Sequence, residues 1–161
     1  MRQRHTQINA AGSLHFVTTV TRIRGFRFID DESCNNVLRC FEHYREKCRI
    51  DCVGYVLMPD HFHALLFQLH AEPAVSDLMQ SFKQHTSGML GVRVNLGRSL
   101  WKAGYDDVAV PSGAGITKLN YLHDNPVRAG FVTDQGQFRW SSIHDYLGTG
   151  KGIVTIRHLF T

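Results

Sequence analysis

No window of the 161 residues approaches the roughly eighteen uncharged apolar residues that a membrane-spanning helix needs, so a membrane partner is excluded and a soluble protein is expected. The basic start, Met1-Arg2-Gln3-Arg4-His5, is followed by polar residues rather than an apolar stretch. No secretory signal is read there, and a cytoplasmic address follows. The four cysteines, Cys34, Cys40, Cys48 and Cys52, form no C-x-x-C pair, which argues against a zinc site and for small buried thiols in a reducing compartment. Internal repeats, linkers and low-complexity tracts are also missing. The chain therefore reads as one domain over residues 1–161, with 1–12 a flexible basic lead-in. Acidic charge is in modest deficit: the formal charge is +4 and the pI about 9.0. The excess is clustered, with Arg22, Arg24 and Arg27 in one group and Arg93, Arg98 and Lys102 in another. Two such patches suit a phosphate backbone, and equally a solvated cationic surface.

What is present is a regular alternation of strand and helix signals. Residues 14–21 are β-branched and read as a strand. Asp30, Asp31 and Ser33 supply capping chemistry for a helix that carries Val37, Leu38, Phe41 and Tyr44 at helical spacing to about residue 47. Residues 50–57 and 61–69 form two apolar runs around Pro59-Asp60, the pattern of an antiparallel hairpin. Val75, Leu78, Met79 and Phe82 mark a second helix over 75–89, which Gly88 and Gly91 end or weaken. Residues 100–110 enter a further strand. Ile116, Leu119, Tyr121 and Leu122 mark a third helix that should stop before Pro126, and residues 127–132 a connector. Trp140 to Leu147 looks like a short helix entered through its serines. The order strand, helix, strand, strand, helix, strand, helix predicts an α+β fold of ferredoxin-like, split β-α-β type, an antiparallel sheet with helices on one face.

Within the second hairpin strand, His61-Phe62-His63 puts two imidazoles on one face of a strand and a bulky apolar side chain on the other. Such a pair can grip a metal ion or simply hydrogen-bond at a strand mouth. On the third helix Tyr121 and Asn125 are four residues apart and share a face. A phenol is a weak nucleophile at neutral pH, but a divalent ion polarising a phosphodiester makes its attack feasible. Two imidazoles and an amide oxygen would admit Mg²⁺ or Mn²⁺, the latter tolerating nitrogen better. A half-buried helix aromatic and a helix-terminal amide are the plainer readings of Tyr121 and Asn125.

Three segments together, Val56-Leu57-Met58-Pro59-Asp60-His61-Phe62-His63-Ala64-Leu65-Leu66, Tyr121-Leu122-His123-Asp124-Asn125-Pro126-Val127-Arg128-Ala129-Gly130 and Trp140-Ser141-Ser142, resemble the single-tyrosine HUH transposases of the smallest insertion sequences, and in particular their REP-associated branch. The resemblance implies that His61, His63 and Asn125 hold the metal, that Phe62 is the bulky middle residue of the motif, and that Tyr121 is the nucleophile. It further implies cleavage of hairpin-bearing single-stranded DNA through a 5′-phosphotyrosine intermediate, followed by strand transfer without ATP. Arg22, Arg24, Arg98, Lys102 and Arg128 are candidate phosphate contacts. A homodimer that exchanges the tyrosine helix and a monomer acting in cis both fit the sequence. The rival readings are a catalytically silent ferredoxin-like module that binds nucleic-acid hairpins, and a metallohydrolase that works without Tyr121.

Overall fold

In a computed structural model, which describes residues 10–22, 28–93 (backbone only for 91–93), 99–111 and 113–160, alternation in the strands sets the architecture. Four strands, β1 (Ser13–Val20), β2 (Ile50–Met58), β3 (His61–Gln68) and β4 (Asp106–Ala109), form one sheet in the order β2-β3-β1-β4 with every pairing antiparallel. This is the expected α+β, split β-α-β arrangement. On β3, Phe62, Ala64 and Leu66 face one apolar layer while Leu65 joins a second layer on the other side. Both faces of the sheet are therefore apolar, and each demands a cover.

Helices α1 (Asp31–Cys48) and α2 (Val75–Arg93) cover the first face, where Phe41, Phe62, Phe82 and Trp101 pack ring against ring. Asp30 caps α1, its carboxylate accepting from Ser33 N at 2.7 Å, and Arg49 closes it in the left-handed region at φ 54°. The expectation of helices on one face holds for this pair. Helix α3 (Gly115–Arg128) lies on the opposite face, where Leu119 and Leu122 meet Val53, Val56, Met58, Leu65 and Phe16.

Three boundaries differ from the sequence reading. Helix α2 runs to Arg93 rather than ending near 89, because buried Leu90 and the anchoring of Thr86 and Ser87 to Trp101 Nε1 and Leu100 N, at 2.8 and 3.1 Å, outweigh a glycine cost of about 1 kcal/mol per residue. Helix α3 passes through Pro126 instead of stopping before it. Proline leaves the Leu122 carbonyl without its usual donor, and Asn125 Nδ2 turns back towards Leu122 O at 3.4 Å and Tyr121 O at 3.2 Å. Finally, α4 spans only Ile143–Leu147. It is entered through its serines: Ser141 Oγ accepts from Ile143 N at 3.2 Å, while Ser142, at the N-cap position, makes no side-chain cap bond and its Oγ accepts from Tyr55 N at 2.9 Å, tying this segment to β2. Among the described residues no helix is long and apolar enough to cross a membrane. The four cysteines are free and buried, and burial pushes the Cys34 and Cys40 thiols up to about 12. The lead-in expected at 1–12 falls largely outside the described residues.

Candidate active site

The site begins with the register of the sheet. β3 is central, and on it His63 pairs across to Thr18 of β1 while His61 pairs to Val20. His61 and His63 lie on the same face with ring centroids 4.7 Å apart and planes at 80°. The second nitrogen of each ring is held. His61 Nδ1 sits 2.7 Å from Asp60 Oδ1, and since a carboxylate only accepts, that nitrogen is the donor, so in the neutral ring the lone pair is on Nε2. His63 Nδ1 sits 2.8 Å from Thr18 Oγ1, an arrangement that leaves Nε2 unprotonated whenever Nδ1–H donates to the hydroxyl. Burial, assisted by His61 and Arg128, pushes His63 down to about 3, so its ring is neutral at physiological pH.

Helix α3 is brought down onto this face by a close approach at Gly54. A Cβ there would lie 2.5 Å from Leu119 Cδ1 and 3.2 Å from Ser142 Oγ, so glycine is what allows the helix to sit so near β2. Buried His123, pushed by desolvation down to about 4, fixes the rotation of the helix through a 2.8 Å hydrogen bond between Nε2 and Ser142 Oγ. With Leu119, Leu122 and His123 facing inward, the stripe Lys118, Tyr121, Asn125, Arg128 is left over the edge of the histidine face.

Tyr121 is 43% exposed and is held by its ring. Phe16 of β1 meets it edge-on at 5.9 Å and in turn stacks on His63 at 5.3 Å, so a continuous aromatic contact joins the tyrosine to the histidine pair within one chain. The Arg128 guanidinium lies 3.9 Å over the phenol ring, steadied by Asp124 at 3.5 Å, and Lys118 Nζ is 5.6 Å from the same ring. The connector reading of 127–132 thus gives way at its start: Arg128 is the last residue of α3 and belongs to the tyrosine's surroundings.

Asn125 is half-buried. Its Nδ2 is committed to the helix backbone, and its Oδ1 accepts no hydrogen bond among the described residues. Among the described residues no group of three or more His, Cys, Asp or Glu side chains gathers to hold a metal. The donors that this face itself offers are the Nε2 atoms of His61 and His63, and the amide of Asn125 stands on the facing helix. That set fits a divalent ion which keeps sites open to solvent and substrate, and its imidazoles favour Mn²⁺ over Mg²⁺. The oriented Nδ1 positions are the outer-shell contacts such ligands require.

Of the remaining candidates, exposed Arg22 and half-buried Lys102 are drawn together by the end of β1, with Arg22 N bonded to Leu100 O and Lys102 N to Val20 O at 2.9 and 2.8 Å. The adjoining Thr21 N donates to Asp60 O at 2.9 Å, so Arg22 and Lys102, one from each basic group of the sequence, meet beside the histidine turn. Arg24 and Arg98 lie outside the described residues. Phe16, Thr18, Asp60 and Lys118 were not singled out from the sequence. Asp60 is adjacent to His61 and could have been. Phe16 and Thr18 become visible only once the β1–β3 register is known.

Comparison with known proteins converges on one group. The family described as IS200-like transposases matches residues 10–125, a span that contains His61, His63, Tyr121 and Asn125. No curated protein matches the sequence. Among solved structures, a REP-associated tyrosine transposase bound to a REP hairpin superposes with a TM-score of 0.78 at 17% identity, covering 100% of this chain and 94% of that one. A transposase-like protein from Deinococcus radiodurans R1 gives 0.53 at 15% identity, covering 77% of this chain and 97% of that one.

Proposed function

The chain belongs to the IS200-like transposase family, and from that premise we propose that it is a metal-dependent, single-tyrosine transposase of the REP-associated kind, which cuts and rejoins single-stranded DNA beside a hairpin. The observation that carries the reading is the contact of Tyr121 with the histidine face through Phe16, with both His Nδ1 atoms already hydrogen-bonded, to Thr18 and to Asp60.

In this reading His61, His63 and Asn125 hold Mg²⁺ or Mn²⁺, which when bound polarises the scissile phosphodiester. Phe16 and Arg128 hold the Tyr121 phenol over that face, limiting the rotation that a 43% exposed side chain would otherwise have. The phenol oxygen forms a bond to phosphorus as the bond to the 3′ oxygen breaks. The phenol proton leaves to water, and the departing 3′ oxygen gains one. The phosphotyrosine ester conserves the bond, so a 3′-hydroxyl can attack in the reverse sense and rejoin or exchange strands without ATP. Lys118 and Arg128 place positive charge where the phosphate accumulates negative charge, while Arg22 and Lys102 suit the flanking backbone. The partner is hairpin-bearing DNA, the ligand present in the structurally similar REP-associated protein. The contact of Tyr121 with the histidines through Phe16 lies within one chain, which supports a tyrosine acting in cis.

The test is a labelled single-stranded oligonucleotide containing a hairpin and flanks, incubated with Mn²⁺, Mg²⁺ or a chelator. Nicking with a protein-linked product, lost on chelation, is expected. Hairpin binding that persists under chelation with no cleavage under either metal identifies a silent binding module instead. Cleavage that survives Tyr121→Phe identifies the metallohydrolase.

A further inference from the structure

The segment from Trp140 to Tyr146 lies beyond residues 10–125, the part of the chain that matches the transposase family, yet it is fastened to the sheet at the level of the histidines. Leu57 N donates to Trp140 O at 2.8 Å and Ser142 N to Tyr55 O at 3.0 Å, with Ser141 bridging Val56 in the antiparallel sense. Residues 140–142 thus run along the outer edge of β2, and the β2 residues they meet are themselves paired with Phe62, His63 and Ala64.

From this edge two side chains reach helix α3, both at His123. Ser142 Oγ lies 2.8 Å from His123 Nε2 and accepts from Tyr55 N at 2.9 Å. The Tyr146 ring meets the His123 ring at 5.3 Å and 61°, and its hydroxyl donates to Val53 O at 2.6 Å. The two anchors, Val53 and Tyr55, flank Gly54, the residue that admits α3 to the sheet. Ser142 is 0% and His123 3% exposed, so water does not compete for the bond between them. Leu119 and Leu122 press the helix onto the sheet, but apolar burial is non-directional and leaves the helix free to turn about its axis. A hydrogen bond to a buried ring removes that freedom. At 3.6 residues per turn Tyr121 stands about 200° round the helix from His123. Pinning His123 inward therefore carries Tyr121 outward, where its ring meets Phe16 at 5.9 Å.

We infer that Ser142 and Tyr146 are positioning residues for Tyr121: acting through His123, they set the rotation and height of α3 against β2 and so keep the phenol beside the histidine strand. Their effect on reaction rate rests on the proposed reading of Tyr121 as the nucleophile, whereas their effect on the place of its ring does not.

The test compares Ser142→Ala, His123→Leu, which removes the ring nitrogens and keeps an apolar side chain, and His123→Gln, whose amide still reaches the Ser142 hydroxyl. Two quantities are read on the full-length chain. The first is the nuclear Overhauser contact between the Tyr121 and Phe16 rings in protein free of metal and DNA. The second is the single-turnover rate of covalent adduct formation with a hairpin oligonucleotide and Mn²⁺. Ser142→Ala and His123→Leu are expected to weaken the ring contact and to slow the adduct by up to about 100-fold, the scale of a misplacement near 1 Å. Affinity for the hairpin and for Mn²⁺ should stay unchanged, and His123→Gln should restore both contact and rate. Tyr146→Phe, which keeps the ring and loses only the bond to Val53 O, carries the same expectation at smaller size should His123→Leu fail to fold. An unchanged ring contact in folded Ser142→Ala overturns the inference, as does a rate that falls only in step with hairpin or Mn²⁺ affinity. A parent that forms no adduct removes the transposase reading, and the ring contact in the variants still decides the positioning role.

Discussion

Replacing Thr18 with valine isolates the orientation of His63 from the rest of the site. The two side chains have nearly the same shape, so Thr18→Val removes the hydroxyl that sits 2.8 Å from His63 Nδ1 and little else. The ring is only 8% exposed, and water cannot easily replace the lost partner. An unsatisfied buried nitrogen costs about 1–3 kcal/mol, which for a chain of this length corresponds to a melting temperature lower by roughly 2–12 °C. The effect on metal binding is larger in relative terms. Loss of the outer contact of a ligating histidine weakens affinity about 10–100-fold, because the ring no longer holds the tautomer that presents the Nε2 lone pair. Titrating the metal-free protein with Mn²⁺, followed by electron paramagnetic resonance of the free ion, measures this without any DNA or turnover. An affinity within two-fold of the parent, in a variant shown to be folded, refutes the assignment of His63 as a ligand oriented by β1.

Two further outcomes follow from the packing of α3 and the buried histidines. Gly54→Ala places a methyl 2.5 Å from Leu119 Cδ1, which should cost about 1–3 kcal/mol as overpacking and slow adduct formation by lifting the tyrosine helix; an unchanged denaturant midpoint would show that the helix does not need this approach. His63 and His123, held down to about 3 and 4 in the folded chain, refuse protons that the unfolded chain accepts below its ordinary value near 6.5. Their contribution is therefore complete above pH 6.5 and is lost as pH falls towards 4, each slope approaching about 1.4 kcal/mol per pH unit; urea unfolding at pH 7, 6 and 5 reads it, and a flat stability over that range contradicts it.

The sheet and its two first helices were legible because their signals are local. β-branched runs, the Pro59-Asp60 corner and the acidic cap at Asp30 each state their structure within a few residues. Helix α3 was legible at its start but not at its end, since the rule against proline acts locally while Asn125 repairs the break with its own side chain. The motif residues His61, His63, Tyr121 and Asn125 stood out by type and spacing, and the fold brings Tyr121 into aromatic contact with the histidine pair through Phe16. Their supports were hidden for a different reason. Thr18, Phe16 and Gly54 matter only through pairings across the sheet or across the helix–sheet gap, and no spacing in the chain reports those. Arg128 was visible as a cation, but its place over the Tyr121 ring depended on the helix continuing past Pro126.

The central claim is that Tyr121 is the atom donor to the DNA. Its most direct measurement is mass spectrometry of the proteolysed protein after reaction with a hairpin oligonucleotide and Mn²⁺, beside the Tyr121→Phe variant, which keeps the ring between Phe16 and Arg128 and removes only the hydroxyl. A nucleotide-bearing peptide containing Tyr121 in the parent, with no adduct in the variant, is the predicted result. An adduct on another residue, or one that persists in Tyr121→Phe, contradicts the account.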